Sequence, residues 1–564
     1  MRSADLAVLA AYFVTMAAVG LAYSRRMKSL NVYFAGGRQL SWWLGGVSFV
    51  MAYVSALSIV VYSGLGYQYG LVALTIYWTT VPGTVITTLL LARRWRRAGV
   101  LTPTEFLENR YSPAVRQLFV WSGIPLKVID DGLKIVAIGV FVSAGMKISS
   151  DVAMIAAGTI ALIYTMLGGL WAVAVTDFVQ FVLVMAGIIL MLPLTLHAAG
   201  GWSHFVAAVP KGFLKPVSPP YSWGYVGAFV VLSTMSLAGN WSLIQKFYAA
   251  RSDGECRGTG WLAAALFFIM PPLWIFAGVL ARAFVSPQGF DPQRIYARIS
   301  AQLMPPGMLG LVIAALFAAT MSVLSSGYNV SSAVLTVDVH RRLIHPKATE
   351  RELLVMGRLL TALVALVAIA IALAITHFHW TIFNTMVAAF GFFLPPTVLP
   401  LLAGLLTRRL SAGGAIGAFA IGIATGLVII GYKLIAQPRN LESYQAISIV
   451  IPTVATLLAL FVAAMFFPAK GEAAERASRF LLQLKRPAPP SETQENPAAV
   501  AGVVIAVMGV ALMLVGLGLV SGRTNGLSFS TGIAFGVAGV AMMKHKWIAR
   551  LLQRPTNSST DLHA

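Results

Sequence analysis

The sequence predicts an all-α polytopic membrane protein of about 15 transmembrane helices, with the N-terminus outside and the C-terminus inside. Three observations carry this. Of 564 residues, 58% are hydrophobic and only 11% are charged, whereas soluble domains average about 25% charged. The mean hydropathy is +0.80. Apolar stretches near the roughly 20 residues needed to cross a bilayer recur along almost the whole chain. A soluble globular domain, a disordered tail and a disulfide scaffold are excluded on these grounds. The single Cys256 permits no internal disulfide and no cysteine-based metal site.

Taken in order, the predicted spans lie near 5–24, 41–66, 70–92, 115–143, 151–169, 171–198, 222–244 and 259–281, then near 308–336, 353–376, 380–406, 411–434, 444–467, 498–520 and 527–543. The first reads as a retained helix and not a secretory signal, because Arg25 and Arg26 follow the apolar run and no basic front precedes it. The fourth is the most polar. The sixth follows the fifth almost without a loop, at Gly168-Gly169. Lysine and arginine in loops orient such chains. With the N-terminus outside, 29 of the 41 basic residues fall in inside loops and 10 in outside segments, and Lys127 and Lys134 lie in span four. The net charge of +22 therefore reads as orientation toward anionic membrane lipids, not nucleic-acid binding. The predicted layout is an extra helix and inside loop at 1–40, a core at 41–406, two peripheral helices at 411–467, a cytoplasmic linker at 468–497 and a final helix pair with a basic tail at 498–564.

Several motifs then make a specific resemblance. FAGGRQLSWWLGGVSFVMAYVSALSIVVYSGLGYQYG (34–70) resembles the second span of the sodium:solute symporter family, which includes sodium-coupled sugar, proline, pantothenate and iodide transporters. LTPTEFLENRYS (101–112), GGLWAVAVTDFVQ (168–180), IQKFYAARS (244–252), AATMSVLSSGYNVSSAVLTVDVH (318–340) and FLPPTVLPLLAGLLTRR (393–409) resemble further family segments in the same order. The matches run from about residue 34 to 430.

The resemblance implies a core of two five-helix repeats of opposite orientation, about 41–198 and 222–406, in the amino-acid/sodium symporter-like fold. The first helix of each repeat is then expected to break near the midplane, where freed carbonyls and half-helix ends bind solute and ion. The Ser-rich stretch from Met51 to Ser58 and the Ala238-Gly239 pair are the places for such breaks; close helix packing uses the same small residues. Carried over from the family, the sodium site comprises the carbonyls of Met51, Val54 and Ala319, the hydroxyl of Ser322, and position 323. The family has Ser or Thr at that last position; here Val323 offers no oxygen. Tyr53 also stands where relatives often carry Asp or Asn. A hard cation needs oxygen ligands. Sodium is thus the implied coupling ion, with proton coupling, uncoupled transport and solute sensing as alternatives.

Asp177, at the start of span six, matches the family's acidic residue on the ion pathway, or else caps a helix at the interface. In span four, Lys127–Asp131 and Asp130–Lys134 are i,i+4 pairs, so the helix neutralises itself and presents a polar face to a cavity. The predicted solute contacts are Tyr53, Ser55, Ser58, Ser233, Ser236, Asn240 and Trp241. Leu57 and Leu237 replace polar positions of the sugar branch. Unmet hydroxyls are costly, so a small solute such as a monocarboxylate or amino acid is expected in place of a sugar. His340 and His345 lie five apart with no third ligand nearby in sequence, so no transition metal and no organic cofactor are expected. No catalytic cluster is visible, and the reading is a multi-pass plasma-membrane transporter, not an enzyme.

Overall fold

The computed structural model describes residues 2–24, 40–100, 102–146, 148–288, 290–378, 380–436, 440–487, 498–519 and 524–543, with side chains described for 177–198 but not 167–176. The inside loop at 25–39, the start of the first family motif and the tail from 544 lie outside these residues. Helices dominate. In chain order they are α1 (Ser3–Ser24), α2 (Trp42–Met51), α3 (Ala56–Tyr69), α4 (the span Val72–Leu90), α5 (Ala92–Ala98), α6 (Glu105–Arg110), α7 (Pro113–Met146), and the two parts of the continuous helix Ser150–Ala198, α8 (Ser150–Met166) and α9 (Asp177–Ala198). The second half holds α10 (Trp223–Gly239), α11 (Trp241–Tyr248), α12 (the span Asp253–Ala281), α13 (Met308–Val334), α14 (Glu350–His377) and α15 (Ile382–Leu406). Then come α16 (Ala412–Ala436), α17 (Leu441–Phe466), α18 (Gly471–Lys485), α19 (Ala498–Gly516) and α20 (Gly526–Met543). Nine spans among the described residues are long and apolar enough to cross a membrane, and the pairs α2–α3 and α10–α11 qualify together as bent spans. The helix α7 carries five charged residues, which lowers its hydropathy, and α1, α8 and α19 include shorter apolar stretches.

The two bent spans are the features that position a site. The α2–α3 pair bends by 61° across Ala52–Ser55, inside the predicted Met51–Ser58 stretch. The α10–α11 pair bends by 53°. Its turn is one residue beyond the expected Ala238-Gly239: α10 runs through Gly239, and Asn240 turns the chain with an extended ψ of 117°. The Asn240 side-chain oxygen accepts from the Ser242 N–H at 2.9 Å, which caps α11. A carboxamide supplies that acceptor where glycine has none.

The loops expected inside gather at one end of the bundle. Arg97 donates to the carbonyls of Leu484 and Lys485 and pairs with Asp253, while Arg110 donates to the carbonyls of Gly404, Thr407 and Leu410. Arg116 pairs with Glu108 at 2.9 Å and with Asp338, and Arg342 pairs with Glu108. At this basic end Leu40 bridges Ala250, with Leu40 N–H to Ala249 O and Arg251 N–H to Leu40 O both at 3.0 Å. That bridge ties the start of one bent span to the end of the other.

The 468–497 segment is not a plain linker. Its first part folds as the amphipathic α18, whose Phe480 stacks on Phe106 of α6 at 5.7 Å; residues 488–497 lie outside the described ones. The final pair packs through glycines: a Cβ at Gly502 would meet the Gly539 carbonyl oxygen at 2.6 Å, and one at Gly532 the Met513 nitrogen at 2.6 Å. Such close backbone approach is how helices associate in lipid. The pair also docks on the core, because Ser528 Oγ donates to Pro306 O at 2.9 Å beside the α13 start. There Asp5 of α1 accepts from the N–H groups of Gly307 and Gly310 at 2.8 and 3.2 Å.

Candidate ion and solute site

The last turn of α2 closes with the Ala52 and Val54 N–H groups donating to the Ser48 and Val50 carbonyls at 2.9 and 2.8 Å, and Val54 lies in the gap before α3. The Ala56 N–H donates to Thr320 Oγ of α13 at 3.1 Å, which places the break against the helix that carries Ala319, Ser322 and Val323. Met51, Val54, Ala319, Ser322 and Val323 are all buried. Between these helices sits Asp177. One of its oxygens accepts from Ser322 Oγ at 2.5 Å, and the other accepts from Ser48 Oγ of α2. The Lys246 ammonium of α11 lies 3.7 Å from the same carboxylate, with both side chains fully buried. Asp177 is therefore not an interfacial cap: it cross-links α2, α9, α11 and α13. An isolated buried carboxylate is costly, and two hydroxyls and one ammonium offset that cost. Ser48 and Lys246 were missed in the sequence. Lys246 stood inside the IQKFYAARS motif, where a lysine beside an apolar helix break was a signal for pairing with Asp177.

Next to this junction are two small adjoining cavities, which share Asp130, Ser236, Asn240 and Phe390 in their walls. The first extends toward the basic end past Trp241, Lys127 and Thr397; the second extends the other way past Tyr53, Ser58, Ser233, Lys134 and Tyr62. Six of the seven expected solute contacts line them. Ser55 does not: it is fully buried in the break, and its hydroxyl has no hydrogen-bond partner among the described residues. Trp241 packs where Gly123 of α7 leaves room, since a Cβ there would meet its ring at 2.2 Å.

The polar face of α7 reaches these cavities. Asp130 accepts from Lys127 at 3.0 Å and from Lys134 at 2.6 Å, and Asp131 accepts from Lys127 at 2.9 Å. This completes the pairing expected from the i,i+4 spacing and adds an i,i+3 contact. Asp131 also lies against Gly327 of α13, where a Cβ would come within 2.5 Å of its oxygen. Aromatic rings form the far wall of the second cavity: Tyr62 and Tyr77 meet edge to face at 4.7 Å, with Phe229 beside them.

A model of the sodium:solute symporter family matches residues 33–422, more than half of the chain. The chain belongs to the sodium:solute symporter family. Family membership makes it a membrane transporter and not an enzyme. Among curated relatives, a sodium/glucose cotransporter 4 of Danio rerio is 27% identical over 76% of this chain and 72% of its own length. A sodium/glucose cotransporter of Vibrio parahaemolyticus is 27% identical over 73% and 82% respectively. In fold, the chain is similar to a substrate-bound, outward-open Na+-coupled sialic acid symporter, with a TM-score of 0.74 at 21% identity over 83% of this chain and 98% of that one. A nucleobase-cation-symport-1 family transporter gives a TM-score of 0.52 at 15% identity over 81% and 100%.

Proposed function

We propose that this family member is a plasma-membrane symporter that couples sodium entry to uptake of a small zwitterionic or anionic solute, such as an amino acid or monocarboxylate, by alternating access. The carrying observation is the junction of the two broken helices: Asp177 bonds Ser48 and Ser322 beside the break at 52–55, and the charged cavities open next to it. In this reading sodium binds the carbonyls of Met51, Val54 and Ala319 and the Ser322 hydroxyl, which are hard oxygen donors. Water supplies the oxygen that Val323 lacks. Asp177 gives the ion a negative charge along its path. The basic end faces the cytoplasm, as the loop charges favour.

The solute class follows from the walls. A sugar needs many hydrogen-bond partners, whereas these cavities present two lysines and Asp130 among rings, and the hydroxyls of Thr80, Ser233 and Thr397 are already bonded within the protein. A solute carboxylate suits Lys134, and an ammonium suits Asp130 and the faces of Tyr62 and Tyr77. The relatives' names point to sugars and related polyols, so the relevant experiment is proteoliposome uptake of labelled amino acids, monocarboxylates and sugars, with sodium and proton gradients imposed separately. Sodium-driven uptake of a charged solute is expected. Sugar uptake alone would overturn the solute class, and uptake that ignores sodium would overturn the coupling. One observation favours the alternative of proton-coupled or uncoupled transport: Lys246 already provides a cation 3.7 Å from Asp177, and uptake driven by a proton gradient alone would support it.

A further inference from the structure

We propose that His340, His345 and Glu352 form a binding site for a zinc-class divalent metal ion at the basic end of the helix that carries Ser322. The local backbone makes the site. Beyond Val334, α13 widens into a π-helical turn over Leu335–Ile344, and the His345 N–H donates to the His340 carbonyl at 2.8 Å. This is the i→i+5 bond of a π-helix. On an ordinary α-helix of about 3.6 residues per turn, residues five apart project to different sides. The wider turn brings the two imidazoles to one side, with ring centroids 6.4 Å apart and perpendicular planes. Turns of this kind occur frequently at functional sites.

The third ligand comes from the next helix, which sequence spacing did not suggest. Glu352 sits in the first turn of α14, and its N–H is capped by Thr349 Oγ at 3.3 Å. Its Oε1 lies 3.3 Å from His340 Nε2 and 2.7 Å from His345 Nδ1. One ligand atom from each residue lies within 4.8 Å of the other two. Zinc binds imidazole nitrogen and carboxylate oxygen at roughly 2.0–2.2 Å in a tetrahedron, which requires ligand atoms about 3.3–3.6 Å apart. The 3.3 Å contact already meets that spacing, and the 2.7 Å contact needs to open by less than an ångström. His340 is buried and fixes one corner, whereas the His345 side chain is 51% exposed and leaves the fourth corner to water. The neighbouring Arg342 is held by Glu108, so it does not occupy the carboxylate. Two imidazoles with one carboxylate select zinc, cobalt, nickel or copper over calcium and magnesium. A bound ion joins the tail of α13 to the head of α14 across the 345–350 loop.

The test uses the full chain in detergent, titrated with zinc chloride and, for spectroscopy, cobalt chloride. One zinc per chain is expected, together with the visible absorption of tetrahedral cobalt. His345→Ala and Glu352→Gln, both at exposed or half-exposed positions, are each expected to weaken zinc binding at least tenfold and to abolish the cobalt band. Their melting temperatures without metal should remain those of the parent. A companion His377→Ala variant is expected to bind as the parent does. Absence of stoichiometric zinc binding by the parent would overturn the site, as would equal affinity in the parent and the two ligand variants. These readouts are independent of solute and of sodium, so they stand apart from the transport reading.

Discussion

Replacing Ser322 by Ala removes one oxygen from the proposed ion site and leaves the helix intact. The change deletes a single buried hydroxyl in the interior of α13, and Ala is the best helix former. Two things are lost together. The ion loses its one side-chain hydroxyl ligand, and Asp177 loses the 2.5 Å bond to one of its oxygens, keeping Ser48 and Lys246. Hydrogen bonds to charged groups contribute about 1.5–3 kcal/mol, and at about 1.4 kcal/mol per decade this is roughly 10- to 150-fold in affinity. The sodium concentration giving half-maximal uptake in proteoliposomes is therefore expected to rise by at least about tenfold. Ser325→Ala is the matching control. Its hydroxyl donates to the Ser322 carbonyl at 3.0 Å and not to Asp177, so it is neither a ligand of the ion nor a partner of that carboxylate, and the variant's sodium dependence should stay near the parent's. A Ser322→Ala protein that is folded, inserted and transporting with the parent's sodium dependence would refute the placement of the ion.

Further outcomes follow from the same geometry. Val323→Ser should strengthen sodium binding by supplying the missing oxygen, read as a lower half-saturating sodium concentration; an unchanged value would show that position 323 does not face the ion. Lys134→Gln should raise the half-saturating concentration of an anionic or zwitterionic solute while leaving sodium affinity near the parent's, because Lys134 lines the solute cavity and is not in contact with Asp177. Gly327→Ala should push Asp131 off its lysines, as the new Cβ meets both carboxylate oxygens at 2.5–2.6 Å. Disrupting a buried pair costs about 3–5 kcal/mol, so a clear fall in thermal stability is expected, and an unchanged melting temperature would show that α7 and α13 separate freely.

The residues divide by the range of the physics that places them. Membrane class and the helical, apolar character of most of the chain were legible from composition, because crossing a bilayer requires a contiguous apolar run whatever the neighbours are. The break at 52–55 falls inside the Met51–Ser58 stretch that the family resemblance marked; the small residues and serines by themselves suit close helix packing equally well. The i,i+4 ion pairs of α7 were readable too, since they lie within one helix. The second break was placed one residue early, because the deciding event is a side-chain cap from Asn240 to Ser242 and not glycine flexibility.

What only the tertiary structure decided are the contacts between distant segments. Asp177 reads in sequence as equally a cap or an ion-path residue. Burial between Ser48, Ser322 and Lys246, separated from it by 129, 145 and 69 positions, rules out an interfacial cap. Ser55 sits among expected solute contacts, yet the backbone turn withdraws it from the cavity. The amphipathic 471–485 helix hid in a stretch that composition marks as linker, because its apolar face is covered by segments distant in sequence, Phe106 among them. His340 and His345 looked partnerless because helical spacing assumes 3.6 residues per turn; a π turn and the first turn of the next helix bring three ligands together. Local periodicity fixes which residues enter the membrane, whereas the choice of which polar groups meet there belongs to packing across the fold.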